Sequence, residues 1–166
     1  MNGTSSNTLT SEDISDRKLA KQWEKFPFAK ASDYVKRLQT RIAKAVKNNQ
    51  YRLARRLQYL LTHSLYAKVL AVQRVTKNRG RRSAGVDGEK WTTPEQKMRA
   101  ALTLSDKGYR TKPLRRIYIP KPQSSKMRPL SIPTMYDRAM QALYAMALLP
   151  WAETTADKTS FGFRMK

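Results

Sequence analysis

From Ser32 onward the apolar residues Tyr34, Val35, Leu38, Ile42, Ala45 and Val46 recur at helical spacing. That spacing lines one side of a helix. Ser32 suits its N-cap, with Asp33 in the first turn, where a carboxylate meets the positive end of the helix dipole. Asn48 and Asn49 interrupt the pattern. Leu53, Ala54, Leu57, Leu60, Leu61, Leu65, Val69 and Val72 then predict a second, longer helix ending near Thr76, and the two should form an antiparallel hairpin. The next stretch, Lys77 to Lys90, is rich in Gly and Arg and reads as a loop. Thr93, Pro94, Glu95 and Gln96 combine an N-cap, a first-turn proline and a glutamine at the capping-box position, which predicts a helix to about Leu104.

The pattern changes after the loop from Asp106 to Pro113. Leu114 to Ile119 and Met127 to Ile132 are short segments with β-branched residues, predicted as a β-hairpin with a basic tip. Pro133 or Thr134 opens a last helix whose apolar face is Met135, Ala139, Met140, Leu143, Tyr144, Met146 and Ala147. Pro150 is predicted to stop it, because proline has no N–H to continue the ladder. Residues 1–22 read as a flexible polar leader, since Trp23, Phe26 and Phe28 are the first residues with much to bury. The order of elements predicts an α+β fold, mostly helical with one β-hairpin. No internal repeat of fixed period appears, which argues against a solenoid.

Charge narrows the function. Against 34 Lys and Arg stand 12 Asp and Glu, a formal net charge of +22 on 166 residues. Such a field calls for a polyanion: nucleic acid, or alternatively an anionic membrane surface. The longest nearly apolar stretch, Ala139 to Trp151, is interrupted by Gln141, so no membrane span and no membrane partner is expected. The leader lacks the basic start and apolar centre of a secretory signal, so the chain is expected to stay in the cytoplasm. With no cysteine and a single histidine, His63, a structural metal site is not expected.

The cations are segregated. Between Asp33 and Asp87 there is no carboxylate, yet the stretch holds Lys36, Arg37, Arg41, Lys44, Arg52, Arg55, Arg56, Lys77, Arg79, Arg81 and Arg82. A merely solvated face usually mixes signs, so this face suits phosphate. A second acid-free window, Lys107 to Tyr136, surrounds the predicted hairpin. Alternation on a strand turns Arg116 and Tyr118 one way and Arg115 and Ile117 the other. Lys121 and Lys126 flank the tip, and Arg128 could hold a phosphate through two donors, although a solvated turn would carry the same residues.

Other candidates read as structural. Tyr51, Tyr59 and Tyr66 suit a core-edge stripe better than a base-stacking platform. His63 has no second histidine or carboxylate close in sequence. Asp87, between Gly85 and Gly88, fits a tight turn of the Asx type. Two-metal phosphoryl transfer needs converging carboxylates, and no local Asp pair exists, so no catalytic residue is assigned.

The strongest signal is a set of ordered motifs. Ser83, Ala84, Gly85, Val86, Asp87 and Gly88 come first. Tyr109 and the run from Lys112 to Pro122 (Lys-Pro-Leu-Arg-Arg-Ile-Tyr-Ile-Pro-Lys-Pro) follow. Lys126 to Pro133 (Lys-Met-Arg-Pro-Leu-Ser-Ile-Pro) and Ser160, Phe161, Gly162, Phe163 and Arg164 complete the set. Over roughly residues 20–166 the chain resembles group II intron-encoded reverse transcriptases, at their N-terminal extension and first fingers blocks. Met165 departs from the residues common in relatives.

The resemblance implies a fingers portion of a right-hand polymerase fold, with residues 23–106 as a basic helical RNA-binding extension and 107–166 opening the reverse transcriptase domain. It implies RNA-directed DNA synthesis and help in intron splicing and mobility. Lys121 and Arg128 match the fingers residues that hold an incoming triphosphate, and Arg116 would lie near the same pocket or the template. The Lys77 to Gly88 loop resembles the template-covering segment. Arg115 and Lys126 join the cations of the helices and this loop as RNA or template contacts. The implied partners are intron RNA, template-primer nucleic acid, target DNA and the palm, thumb and maturase parts, within a bacterial or organellar ribonucleoprotein. The family's metal-binding aspartates, including a Tyr-x-Asp-Asp turn, are expected beyond residue 166. Mg²⁺ would therefore serve the complete enzyme, and this chain alone should be inactive. The competing reading is a stand-alone basic RNA-binding or splicing-helper protein; a membrane-surface protein is the third.

Overall fold

The computed structural model describes residues 11–122 and 125–157, with side chains from residue 15 onward. The motif at Ser160 to Arg164, Met165, and Gln123 and Ser124 of the hairpin tip lie outside the described residues. Among the described residues six helices and one hairpin follow in order: α1 Ser11–Glu24, α2 Phe28–Lys47, α3 Tyr51–His63, α4 Leu65–Lys77, a 3-10 turn Arg79–Arg82, α5 Pro94–Thr103, β1 Arg115–Pro120, β2 Met127–Ile132 and α6 Met135–Thr155. This is the predicted α+β class, mostly helical with a single antiparallel hairpin.

The helices share one core. α2 buries Ala31, Val35, Leu38, Ile42, Ala45 and Val46, a stripe at helical spacing. α4 is the most enclosed element, burying Ala67, Val69, Ala71, Val72 and Val75. α6 closes the core with Met135, Ala139, Met140, Leu143, Met146 and Ala147. Fully burying one large aliphatic side chain such as Ile42 or Leu61 favours folding by roughly 1.5–3 kcal/mol.

Four local expectations need correction. Residues 11–22 of the expected leader belong to α1, which packs along α5 and carries an ion pair from Asp16 to Arg99. Its polar sequence hides this because the helix gains its support from a partner distant in sequence. α2 starts at Phe28 rather than after Ser32: Pro27 caps it, and the Ala31 N–H donates to the Pro27 carbonyl at 2.9 Å. Edge-to-face contacts of Phe28 with Trp23 and Phe26, at ring separations of 5.5 and 5.2 Å, fix that start.

The expected long second helix is two helices, broken at the extended residue Ser64. Neither Gly nor Pro marks the break. Instead the Thr62 hydroxyl and the His63 ring both bond the Tyr59 carbonyl, at 3.1 and 2.9 Å, competing with the helical ladder there. Pro150 lies inside α6 and does not stop it. A proline at 150 leaves the Met146 carbonyl without its helical donor. The Gln39 side chain of α2 donates to that carbonyl at 2.8 Å, and Gln58 of α3 donates to the Ala147 carbonyl at 3.0 Å. Two glutamines from neighbouring helices thus satisfy the groups a proline disturbs.

Local hydrogen bonds close two helix boundaries, the α2 end at the Asn48 and Asn49 interruption and the α5 start at its expected capping box. α2 ends in a Schellman motif: the Asn49 N–H donates to the Val46 carbonyl and Gln50 N–H to the Ala45 carbonyl, with Asn49 at φ 56°. At α5, the Thr92 and Thr93 N–H groups donate to the Gln96 side chain, at 2.9 and 3.3 Å.

Candidate nucleic-acid interface

Each row of cations follows from helical geometry. With the buried stripe of α2 facing the core, Lys36, Arg37, Arg41 and Lys44 fall on its exposed side, where Lys36, Arg37 and Arg41 border a shallow cleft of about 620 Å³. On α3, Ala54, Leu57 and Leu61 face inward, and Arg52, Arg55 and Arg56 are exposed. Lys77, Arg79, Arg81 and Arg82 are exposed at the end of α4 and on the 3-10 turn. All eleven sit on a stretch without a carboxylate between Asp33 and Asp87.

The turn carrying Arg79, Arg81 and Arg82 is held by a residue that sequence reasoning missed. Arg138 of α6 donates to the carbonyls of Gly80 at 2.8 Å, Ser83 at 2.6 Å and Pro133 at 2.9 Å. Burial lowers its pKa, opposed by the nearby Asp87 carboxylate. One guanidinium, with its rigid fork of donors, therefore ties the loop to the helix start. Arg138 gave no signal in the pattern because its partners are backbone oxygens.

The two glycines that flank Asp87 act differently. Gly85 does not use a left-handed backbone; Gly88 does, at φ 71°. A Cβ at Gly85 would stand 2.6 Å from the Thr134 Cα and 2.8 Å from its nitrogen, so glycine is required by close approach. Asp87 does form the expected turn, accepting from the Glu89 N–H at 3.2 Å, and it pairs with Lys112 at 3.4 Å.

Beneath this loop lies a buried polar knot. The Thr134 hydroxyl donates to Asp137 at 2.6 Å and accepts from the Asp137 N–H, while the Tyr109 hydroxyl donates to Asp137 at 2.5 Å. Burial alone would raise the Asp137 pKa. Hydrogen bonds from Thr134, Tyr109 and the backbone of Lys112 outweigh it and hold the carboxyl below the usual range. Burial and the Asp137 carboxylate push Tyr109 up to about 12.

These shifts set opposite pH limits. The stability from Asp137 is present above the ordinary carboxylate pKa and is lost as pH falls through its depressed value. The contribution of Tyr109 is complete below about pH 10 and disappears as pH rises toward 12. In an ultraviolet titration, a phenol ionising near pH 12 should be present in the wild type and absent from Tyr109→Phe. Burial and Asp106 also raise Tyr144, so the test is a loss of one late phenol, and an equal number of late phenols in both proteins contradicts this assignment.

The hairpin separates the predicted nucleotide residues. Its register pairs Arg115 with Ile132, Arg116 with Ser131, Ile117 with Leu130 and Ile119 with Arg128. The Lys121 N–H donates to the Lys126 carbonyl at 3.0 Å, which continues the ladder by one pair. Directly paired residues share a face and successive residues alternate. Lys121, Lys126 and Arg128 therefore fall with Arg115 on one face, and Arg116 falls on the other with Tyr118. All of these cations are exposed.

The three tyrosines also part company. Tyr66 packs edge-on against Phe26 and Tyr34, and Tyr51 stacks on Trp151 at 5.5 Å, as a core-edge stripe would. Tyr59 instead is 62% exposed and stacks on His63 at 3.8 Å. His63 does have a carboxylate nearby: Asp106 lies 3.7 Å from Nε2, brought in by the fold rather than by sequence.

Known proteins are similar to this chain over part of its length. Residues 23–104 match the family model for the N-terminal domain of reverse transcriptase. The chain is 35% identical over 127 residues to the group II intron-encoded protein LtrA of Lactococcus lactis subsp. cremoris, covering 75% of this chain and 21% of that protein. It is also 35% identical over 116 residues to Protein YkfC of Escherichia coli (strain K12), covering 66% of this chain and 30% of that protein. The chain thus spans well under half the length of these relatives. These matches support a fragment of a group II intron reverse transcriptase/maturase, with residues 23–104 as the N-terminal domain of reverse transcriptase.

A reverse transcriptase implies a divalent metal for the full enzyme. Among the described residues no three His, Cys, Asp or Glu side chains come together to hold one. Among the described residues, no helix is long and apolar enough to cross a membrane.

Proposed function

We propose that residues 23–106 grip intron RNA and that residues 107–166 begin the fingers of an RNA-directed DNA polymerase that also assists splicing and mobility of that RNA. The observation that carries this reading is the exposed cationic surface of α2, α3 and the 3-10 turn, uninterrupted by any carboxylate between Asp33 and Asp87. Neutralising phosphates with such a surface releases counterions, which supplies affinity without sequence preference. The reading places the magnesium-binding aspartates in a palm supplied by the remaining enzyme, leaving this chain inactive alone. Template-primer, target DNA, thumb and maturase parts complete the partners, in a bacterial or organellar ribonucleoprotein.

Lys121 and Arg128 serve the incoming nucleotide in this account. Their shared face on the hairpin supports that pairing. Arg116, on the opposite face, suits the template strand better than the triphosphate. A stand-alone RNA-binding module would use the helical surface equally well but leave the shared face of Lys121 and Arg128 without a ligand.

In the complete enzyme, Lys121→Ala or Arg128→Ala should raise the KM for deoxynucleotides roughly tenfold or more, the effect of losing one charge-assisted contact. Affinity for intron RNA should stay within about twofold, since that surface lies on other elements. Equal losses in both measurements would remove these residues from the nucleotide site.

A further inference from the structure

Trp91 stands between two clefts. One, of about 490 Å³, is bordered by Glu89, Gln96, Arg99 and Tyr136. The other, of about 560 Å³, is bordered by Arg81 and Arg82 of the 3-10 turn, by Lys90 and Thr92 beside the indole, and by Lys97 of α5. Both lie within the size range of small-ligand sites. Their chemistry separates them: the first carries the Glu89 carboxylate, whereas none of the residues bordering the second is acidic.

The second cleft has the features of a built site. Trp91 is half-buried and packed against the hydrophobic core, so its ring is held in place before any ligand arrives. Arg81 and Arg82 ride on the turn that Arg138 fixes through the Gly80 and Ser83 carbonyls. Lys90, next to the indole in sequence, and Lys97 of α5, Pro94–Thr103, line the same cleft. An aromatic face ringed by cations stacks a base and holds phosphate, and any base serves because every base has a π-face.

Resting on the RNA-binding reading above, we propose that this cleft holds one unpaired nucleotide of a bound RNA strand. The base stacks on Trp91, and Arg81, Arg82, Lys90 and Lys97 hold the adjoining phosphates. A base in a duplex is already stacked between its neighbours and cannot reach the indole. The site therefore favours single-stranded over double-stranded RNA.

The test uses the full 166-residue chain with a single-stranded oligoribonucleotide and a duplex of equal length. Trp91→Leu should weaken single-strand binding roughly tenfold and duplex binding less than about twofold, with Trp91→Phe restoring most of the loss. The Arg82→Gln, Lys90→Gln double variant changes only exposed side chains. It should lower the salt slope for the single strand by about 1.4, at roughly 0.7 per phosphate contact. Unchanged single-strand binding by Trp91→Leu, an equal loss on both probes, or an unchanged slope in the double variant overturns the cleft assignment. If the wild-type chain binds neither probe, the RNA-binding reading itself fails.

Discussion

Gly85→Ala is expected to destabilise the chain by about 3 kcal/mol, the upper part of the range for overpacking. The new methyl would meet backbone atoms of Thr134 at 2.6 and 2.8 Å, inside any normal contact distance. Thr134 cannot retreat easily, because it is 1% exposed, caps α6 and bonds the buried Asp137. Relief must come from moving the 83–88 loop, which strains the Arg138 bonds to Gly80 and Ser83. Gly88→Ala makes the control. Its Cβ meets open space, but φ is 71°, so the cost should be only about 1–2 kcal/mol. Chemical denaturation measures both; Gly85→Ala within about 0.5 kcal/mol of wild type would show that the close approach is not maintained in solution.

The second large effect is on RNA. Replacing Arg52, Arg55 and Arg56 together by Gln should flatten the dependence of log affinity on log salt by about 2 units, at roughly 0.7 to 0.9 per phosphate contact. At moderate salt the affinity should fall by about two orders of magnitude. Stability should not fall with it. All three side chains are exposed on an acid-free helix, so removing them relieves repulsion and empties no core position. An unchanged slope with lowered affinity would mean that α3 does not touch phosphate.

The elements that declared themselves in the sequence are those whose signal is local. The capping glutamine Gln96, the helix interruption at Asn48 and Asn49 and the β-branched strands around residues 117 and 132 each act within a few residues of themselves. What escaped depends on distant partners. The continuation of α6 through Pro150 needs Gln39 and Gln58 from two other helices. α1 likewise depends on α5, whereas the break at Ser64 is the exception, a local competition of Thr62 and His63 for the Tyr59 carbonyl that no Gly or Pro announces.

The same division runs through the candidate site. The cations were visible because carboxylates are missing around them, and exposure of a charged side chain is the default. Arg138, Asp137 and Trp91 were not singled out, because a buried clamp, a capped carboxylate and a half-buried indole look ordinary until their neighbours are in place. Arg116 shows the limit in the other direction. The pattern correctly set it apart from Arg115, but only the register put it opposite Lys121 and Arg128.

Salt-dependent binding of the wild-type chain to a group II intron RNA tests the central claim most directly. The account predicts a linear fall of log affinity with log salt, with a slope of about −4 or steeper, as several phosphate contacts on α2, α3 and the 3-10 turn require. A slope near zero, or no binding at low salt, would contradict a phosphate-gripping surface on this chain.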